Sequence, residues 1–174
     1  MEKPLSRAAV VRAGAAGLVA TGLAATGMAA PAAAAGNEHP NVALIRRYYE
    51  VYGSGDLKAL RQFFAPDIRW TIPGHHPLAG TKTGADEVLA FFAQLAKSGF
   101  RAEILFLAAD RDWVVDMHRG WSTTPEGLDI TWTLAYRIRG RTIVEAVNFA
   151  ADQHAADAFF WRQYPLARIP RRLA

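Results

Sequence analysis

The chain has 174 residues and a mass of 19.0 kDa, room for one domain of ordinary size plus a tail. Apolar residues make up 51% and charged residues 21%, a globular balance that excludes a disordered polyelectrolyte. With no cysteine, disulfide scaffolds, thiolate metal sites and cysteine nucleophiles are excluded as well.

The net charge of +4 belongs to the two ends. Residues 1–35 carry +2 and residues 162–174 carry +4, so the stretch between them is slightly acidic at −2. Residues 1–35 open on Lys3, Arg7 and Arg12 and continue as a charge-free run of Ala, Gly and Thr. The run ends at Ala33-Ala34-Ala35, a small-residue cleavage pattern, which is the layout of a signal peptide. The expectation is a secreted or extracytoplasmic protein. Ala and Gly partition weakly into lipid, so no stable membrane anchor is expected.

Residues 36–161 are expected to form the domain. Val42, Ile45, Tyr49 and Tyr52 recur at three- and four-residue spacing after Pro40, with Tyr48 beside them, and predict a helix stopped by Gly53-Ser54-Gly55. Asp56 is placed to cap a short second helix with Leu57, Leu60, Phe63 and Phe64, ending at Pro66. Ile68, Trp70 and Ile72 alternate with polar residues as a strand, which Pro73-Gly74 breaks into a loop reaching Gly84. A third helix is expected from about residue 85 to 97, capped by Thr83. Strands follow at about 101–109, 113–121, 128–139 and 142–149, then a closing helix with Ala155 and Phe159. This order predicts an α+β domain with sequential antiparallel hairpins. The basic tail, 162–174, contains Pro165 and Pro170. Aromatics are not interleaved with the arginines over any longer stretch, so no nucleic-acid partner is expected.

The words carried by these elements resemble the SnoaL-like branch of the nuclear transport factor 2-like, ketosteroid-isomerase-like superfamily over about residues 41–161. They are Arg47-Tyr48-Tyr49, Gly55-Asp56-Leu57, Phe64-Ala65-Pro66-Asp67, Trp70-Thr71-Ile72-Pro73-Gly74, Pro77-Leu78-Ala79-Gly80, Gly84-Ala85-Asp86-Glu87-Val88, Val144-Glu145 and Asp157-Ala158-Phe159. The resemblance implies a curved antiparallel sheet wrapped around helices as a cone. The cone's open end would take a small apolar molecule. It also implies homodimers through the outer face of the sheet. Relatives of this kind perform acid–base chemistry on carbon skeletons (isomerisation, cyclisation, dehydration) with no metal or cofactor, and others only bind.

Residue by residue, Tyr48 matches the tyrosine that steadies an enolate in ketosteroid isomerases. By the resemblance, the position of that enzyme's base falls on Ile72 and that of its buried acid near Leu134, both apolar, so its recipe is not expected here. Asp152 resembles the aspartate of polyketide cyclases, or else caps the closing helix. Asn148 can orient a carbonyl. His75 is a candidate rim proton shuttle, and adjacent His75 and His76 point apart in extended backbone, so no metal site is expected. Trp70, Phe92, Trp132 and Tyr136 are expected as pocket or core aromatics. His118 and Asp116 alternate with Trp113, Val115 and Met117. If the apolar set lines the cone, the pair faces a dimer contact. With the faces reversed it is an acid–base dyad, and register alone decides.

Overall fold

The computed structural model describes residues 38–124 and 127–164. The leader expected at residues 1–35 and the tail beyond Tyr164 lie outside the described residues. Helix α1, Pro40–Ser54, begins with proline at its first turn, where the missing N–H costs nothing, and the His39 ring accepts from the Asn41 N–H at 3.2 Å. It ends at Gly55, whose φ of +76° glycine adopts without strain. Asp56 caps α2, Leu57–Leu60, by accepting from the Ala59 N–H at 2.9 Å.

A turn of 3₁₀ helix, Arg61–Phe63, follows, and strand β1 runs from Phe64 to Ile72. Phe64 and Pro66 are therefore strand residues, and the second helix is shorter than expected. The segment expected as loop contains strand β2, Gly80–Thr83, paired antiparallel to β1 with Trp70 opposite Lys82. Helix α3, Ala85–Lys97, starts from Gly84 rather than Thr83. The Thr83 N–H instead donates to the Glu87 carboxylate at 2.7 Å, and Asp86 and Glu87 in the first turn suit the helix dipole.

The remaining strands are β3, Phe100–Asp110; β4, Trp113–Ser122; β5, Asp129–Arg139; and β6, Thr142–Ala150. Helix α4, Gln153–Gln163, closes the fold and takes in Arg162, which was expected in the tail. The sheet order is β2-β1-β6-β5-β4-β3. Pairings are antiparallel except β1 against β6, which is parallel and corrects the all-antiparallel expectation. No local turn could join these strands. They meet only because the whole chain between them folds back.

The helices lie against one face of the sheet, where Ile45, Tyr48, Trp70, Val88, Phe92, Tyr136 and Phe159 form the core. A bulge in β3 places Ile104 opposite His118 and Phe106 opposite Met117, with Leu105 as the extra residue. Leu105 and Phe106 are consequently both exposed. The result is an α+β cone with an apolar interior.

Candidate active site

Inside the cone, Tyr48, Tyr49 and Tyr52 from α1, Phe92 from α3 and Phe160 from α4 face Trp70, His118, Trp132 and Asn148 from the sheet. They enclose a cavity of about 50 Å³. That is smaller than the roughly 150 Å³ cavity that takes up benzene in an engineered core.

One polar cluster forms the cavity's side at β4. Alternation turns Val114, Asp116, His118 and Gly120 inward, and Asp116 is fully buried while His118 is 5% exposed. Every neighbour of the Asp116 carboxylate is a donor. The Tyr49 hydroxyl donates to Oδ2 at 2.5 Å and the Tyr136 hydroxyl to the same oxygen at 2.9 Å. The Leu134 N–H donates to Oδ1 at 3.1 Å, and His118 Nδ1 lies 2.9 Å from Oδ1. A buried carboxylate is tolerable only where such donors replace water.

With the Tyr49 proton given to Asp116, the Tyr49 oxygen 3.1 Å from His118 Nδ1 can only accept. Nδ1 therefore carries the hydrogen, and in the neutral form of the imidazole the lone pair resides on Nε2, the nitrogen left to the cavity. This is the arrangement by which an aspartate orients a histidine base. Burial raises the pKa of Tyr48, Tyr49 and Tyr136 well above the ordinary 10.0, and the Asp116 charge adds to the rise, so all three remain donors.

Three further donors bear on the cavity. The Tyr48 ring packs among Phe63, Trp70 and Phe92, and its hydroxyl bonds to no described residue. The Trp70 indole N–H donates to Asn148 Oδ1 at 2.7 Å, which fixes the amide and leaves Asn148 Nδ2 to donate. Trp132 Nε1 is buried without a partner, the one such side-chain atom among the described residues. Gly120 makes room for that indole. A Cβ there would stand 2.5 Å from Trp132 Cδ1 and 2.6 Å from its Nε1.

The structure brings together Tyr48, His118, Trp70, Ile72, Phe92, Trp132, Leu134 and Asn148. Tyr136 does not line the cavity; it stands behind the dyad, its hydroxyl on Asp116. Asp152 is exposed and caps α4, accepting from the Ala155 N–H at 2.8 Å, away from the cavity. His75 is also outside it. Its side chain is solvent-exposed, its N–H donates to Asp157, and its carbonyl accepts from the Trp161 indole at 2.6 Å. His76, not His75, turns inward, stacking on Phe160 at 4.4 Å with its pKa lowered by burial.

Sequence reasoning did not give Tyr49 and Gly120 roles at the site. Tyr49 read as one more apolar helix position, and the room that Gly120 leaves appears only when β4 and β5 are side by side. Among the described residues no group of three or more His, Asp or Glu is placed to hold a metal ion.

Known proteins share this frame. Bal32a, from a soil-derived mobile gene cassette, superposes with a TM-score of 0.66 at 25% identity, over 69% of this chain and 95% of that one. A cystatin-like-fold protein from Xanthomonas campestris gives 0.64 at 26%, over 68% and 96%. TerC, co-crystallized with polyporic acid, gives 0.63 at 19% over 70% and 98%, a likeness of fold alone. The uncharacterized protein Rv0034 of Mycobacterium tuberculosis is 29% identical over 122 residues, 67% of this chain and 93% of its own. The model of the SnoaL-like domain matches residues 45–146, from the middle of α1 to the inward-facing Ala146 of β6, and the chain belongs to that family.

Proposed function

We propose that the protein is an exported, cofactor-independent acid–base enzyme acting on a small, largely apolar or polyketide-like carbonyl compound. The carrying observation is His118 turned into an apolar cavity, with Asp116 beside it and the imidazole tautomer held by Asp116 and Tyr49. His118 Nε2 would take a proton from carbon next to a carbonyl. The electron pair then moves to the carbonyl oxygen, where Tyr48, Asn148 Nδ2 or Trp132 Nε1 can donate as charge develops. Return of the same proton to another carbon is an isomerisation. Attack of the enolate carbon on a second carbonyl closes a ring, and loss of water from that adduct is a dehydration.

Two features of the chain extend the proposal. The leader-like residues 1–35 support export with cleavage before Gly36. The convex face exposes Phe106, Met117 and Phe149, aligned across β3, β4 and β6 with Thr133 of β5 between the last two. An exposed row of large apolar side chains, interrupted at Thr133, supports a homodimer through the sheet.

A non-catalytic binding role has one observation in its favour. By resemblance, the steroid isomerases' base position falls on Ile72 and their acid position near Leu134, and both of these side chains line the cavity as hydrocarbon. A model carbon acid separates the two readings. Loss of the α-proton signals of 2-indanone in heavy water is expected to be accelerated by the wild type. His118→Gln, whose amide can still donate toward Asp116, should reduce that acceleration about 10²–10⁴-fold in a protein that keeps its fold. Binding of the ketone with no exchange above the buffer rate would leave the binding role.

A further inference from the structure

A second hollow of about 130 Å³ adjoins the cavity where the end of α1, the end of α3 and the start of β3 meet. Tyr52, Phe92 and Phe100 line both spaces and so form their common wall. Tyr52 and Phe92 meet edge to face, with ring centroids 5.5 Å apart. The floor of the outer hollow is Leu57 and Ala96, and Arg101 is the one Lys, Arg, Asp or Glu among the residues lining either space. Arg101 is exposed and belongs to none of the ion pairs among the described residues. Its charge reaches the wall. Burial pushes the Tyr52 hydroxyl up to about 12, and Arg101 opposes that rise.

Size and charge then bear on the ligand together. The inner cavity alone is too small for a ring of benzene size, so a ring seated beside His118 must displace part of the wall and extend into the outer hollow. The inner space is lined by hydroxyl, amide and ring N–H groups and by His118, whose partner is already Asp116, but by no Lys or Arg, so an anion entering it loses hydration without gaining a fixed cation of its own. A guanidinium at the outer end supplies the missing partner, with a planar fork that matches a carboxylate.

We propose that the hollow at Arg101 is the outer subsite of a two-part binding site, and that the ligand is an amphipathic aromatic or polyketide-like acid whose carboxylate pairs with Arg101 while its uncharged part lies against His118. This assignment rests on the reading of the inner cavity as the reacting site. The aromatic wall would close over the middle of the ligand, and the charge at one end would fix which end enters first.

The test titrates the full-length protein with 2-naphthoate and with its neutral counterpart 2-naphthamide. The readout is the change in tryptophan fluorescence, for which Trp70 and Trp132, of the five tryptophans, line the cavity. Naphthoate is expected to bind about fivefold tighter, the worth of one exposed charge pair, with the advantage shrinking at about 0.5 M salt. Arg101→Gln should bring naphthoate down to the affinity of naphthamide, and Arg101→Lys should restore part of the difference. Equal affinities in the wild type, no naphthoate binding, or a preference that survives Arg101→Gln would each overturn the assignment. Failure here is distinct from failure of the catalytic reading, because 2-indanone carries no charge. A wild type that exchanges indanone protons without preferring naphthoate has no such subsite. One that prefers naphthoate but exchanges nothing has the subsite without the chemistry.

Discussion

Strand β4 shows opposite chemistry on its two sides. Its concave side carries the buried Asp116 and His118, while its convex side exposes Val115 and Met117 to about 40% and 41%. Hydrophobicity alone would have turned the strand over. Asp116 is held inside because two tyrosine hydroxyls, a histidine and a backbone N–H converge on it, and that donor set comes from α1, β4 and β5 at once. The convex apolar row has no such internal reason to be where it is. Polar groups are buried where neighbours satisfy them, and apolar groups left outside mark a surface with further work to do.

The strongest way to break this contrast is on the concave side. Asp116→Asn places an amide NH₂ where the surrounding groups are donors. A loss of indanone exchange of about 10²-fold or more is expected, as the imidazole loses its orienting partner. Denaturant melts should also show a stability loss of about 1–3 kcal/mol from the mismatched buried donors. A variant that exchanges at the wild-type rate would remove Asp116 from the mechanism.

On the convex side the expected effect is on assembly. Met117→Glu should halve the mass seen by native mass spectrometry while the monomer keeps its stability to within about 0.5 kcal/mol. Under the export proposal, the same spectra on secreted material are expected to show the mass of the chain less residues 1–35, and a full-length mass would overturn cleavage there. A wild type that flies as a monomer would end the dimer proposal.

The smallest effect sharpens the contrast by pH. All five tyrosines have raised pKa values, with burial the leading cause in each, and Tyr52 reaches about 12. The folded chain thus holds phenol protons that the unfolded chain releases above the ordinary 10.0. Stability from these groups is complete below pH 10 and falls as pH rises toward the raised values. Phenolate absorbance should therefore appear together with unfolding. Ionisation at pH 10 in a chain that keeps its fold would contradict the dry interior.

Much of the fold was legible because it is local. Proline at the start of α1, glycine at its end, the Asp56 cap and the alternation in β3 to β6 act over a few residues each. Strand β2 was not legible, since Gly80-Thr81-Lys82-Thr83 is an edge strand with no apolar alternation and gains its identity from β1. The parallel contact of β1 with β6 joins residues far apart in sequence and leaves no local mark. At the site, Tyr48, Trp70, Ile72, Phe92, Trp132, Leu134 and Asn148 could be picked out by resemblance and alternation. The standing of His118 could not, because register decides the side and the apolar pattern of β4 argues for the wrong one. Asp152 misled for a simpler reason: an aspartate before a helix has the same local sequence whether it caps the helix or serves a pocket.

The close fit of Gly120 beneath the Trp132 indole also constrains how this cavity can change. A side chain at 120 collides with the indole, so position 120 is open to replacement only after Trp132 has given way to something smaller. Once a larger residue occupies 120, tryptophan cannot return at 132 in a single step. The pair works as a ratchet on the order of mutations, and enlargement of the cavity by this route is a path walked in one direction.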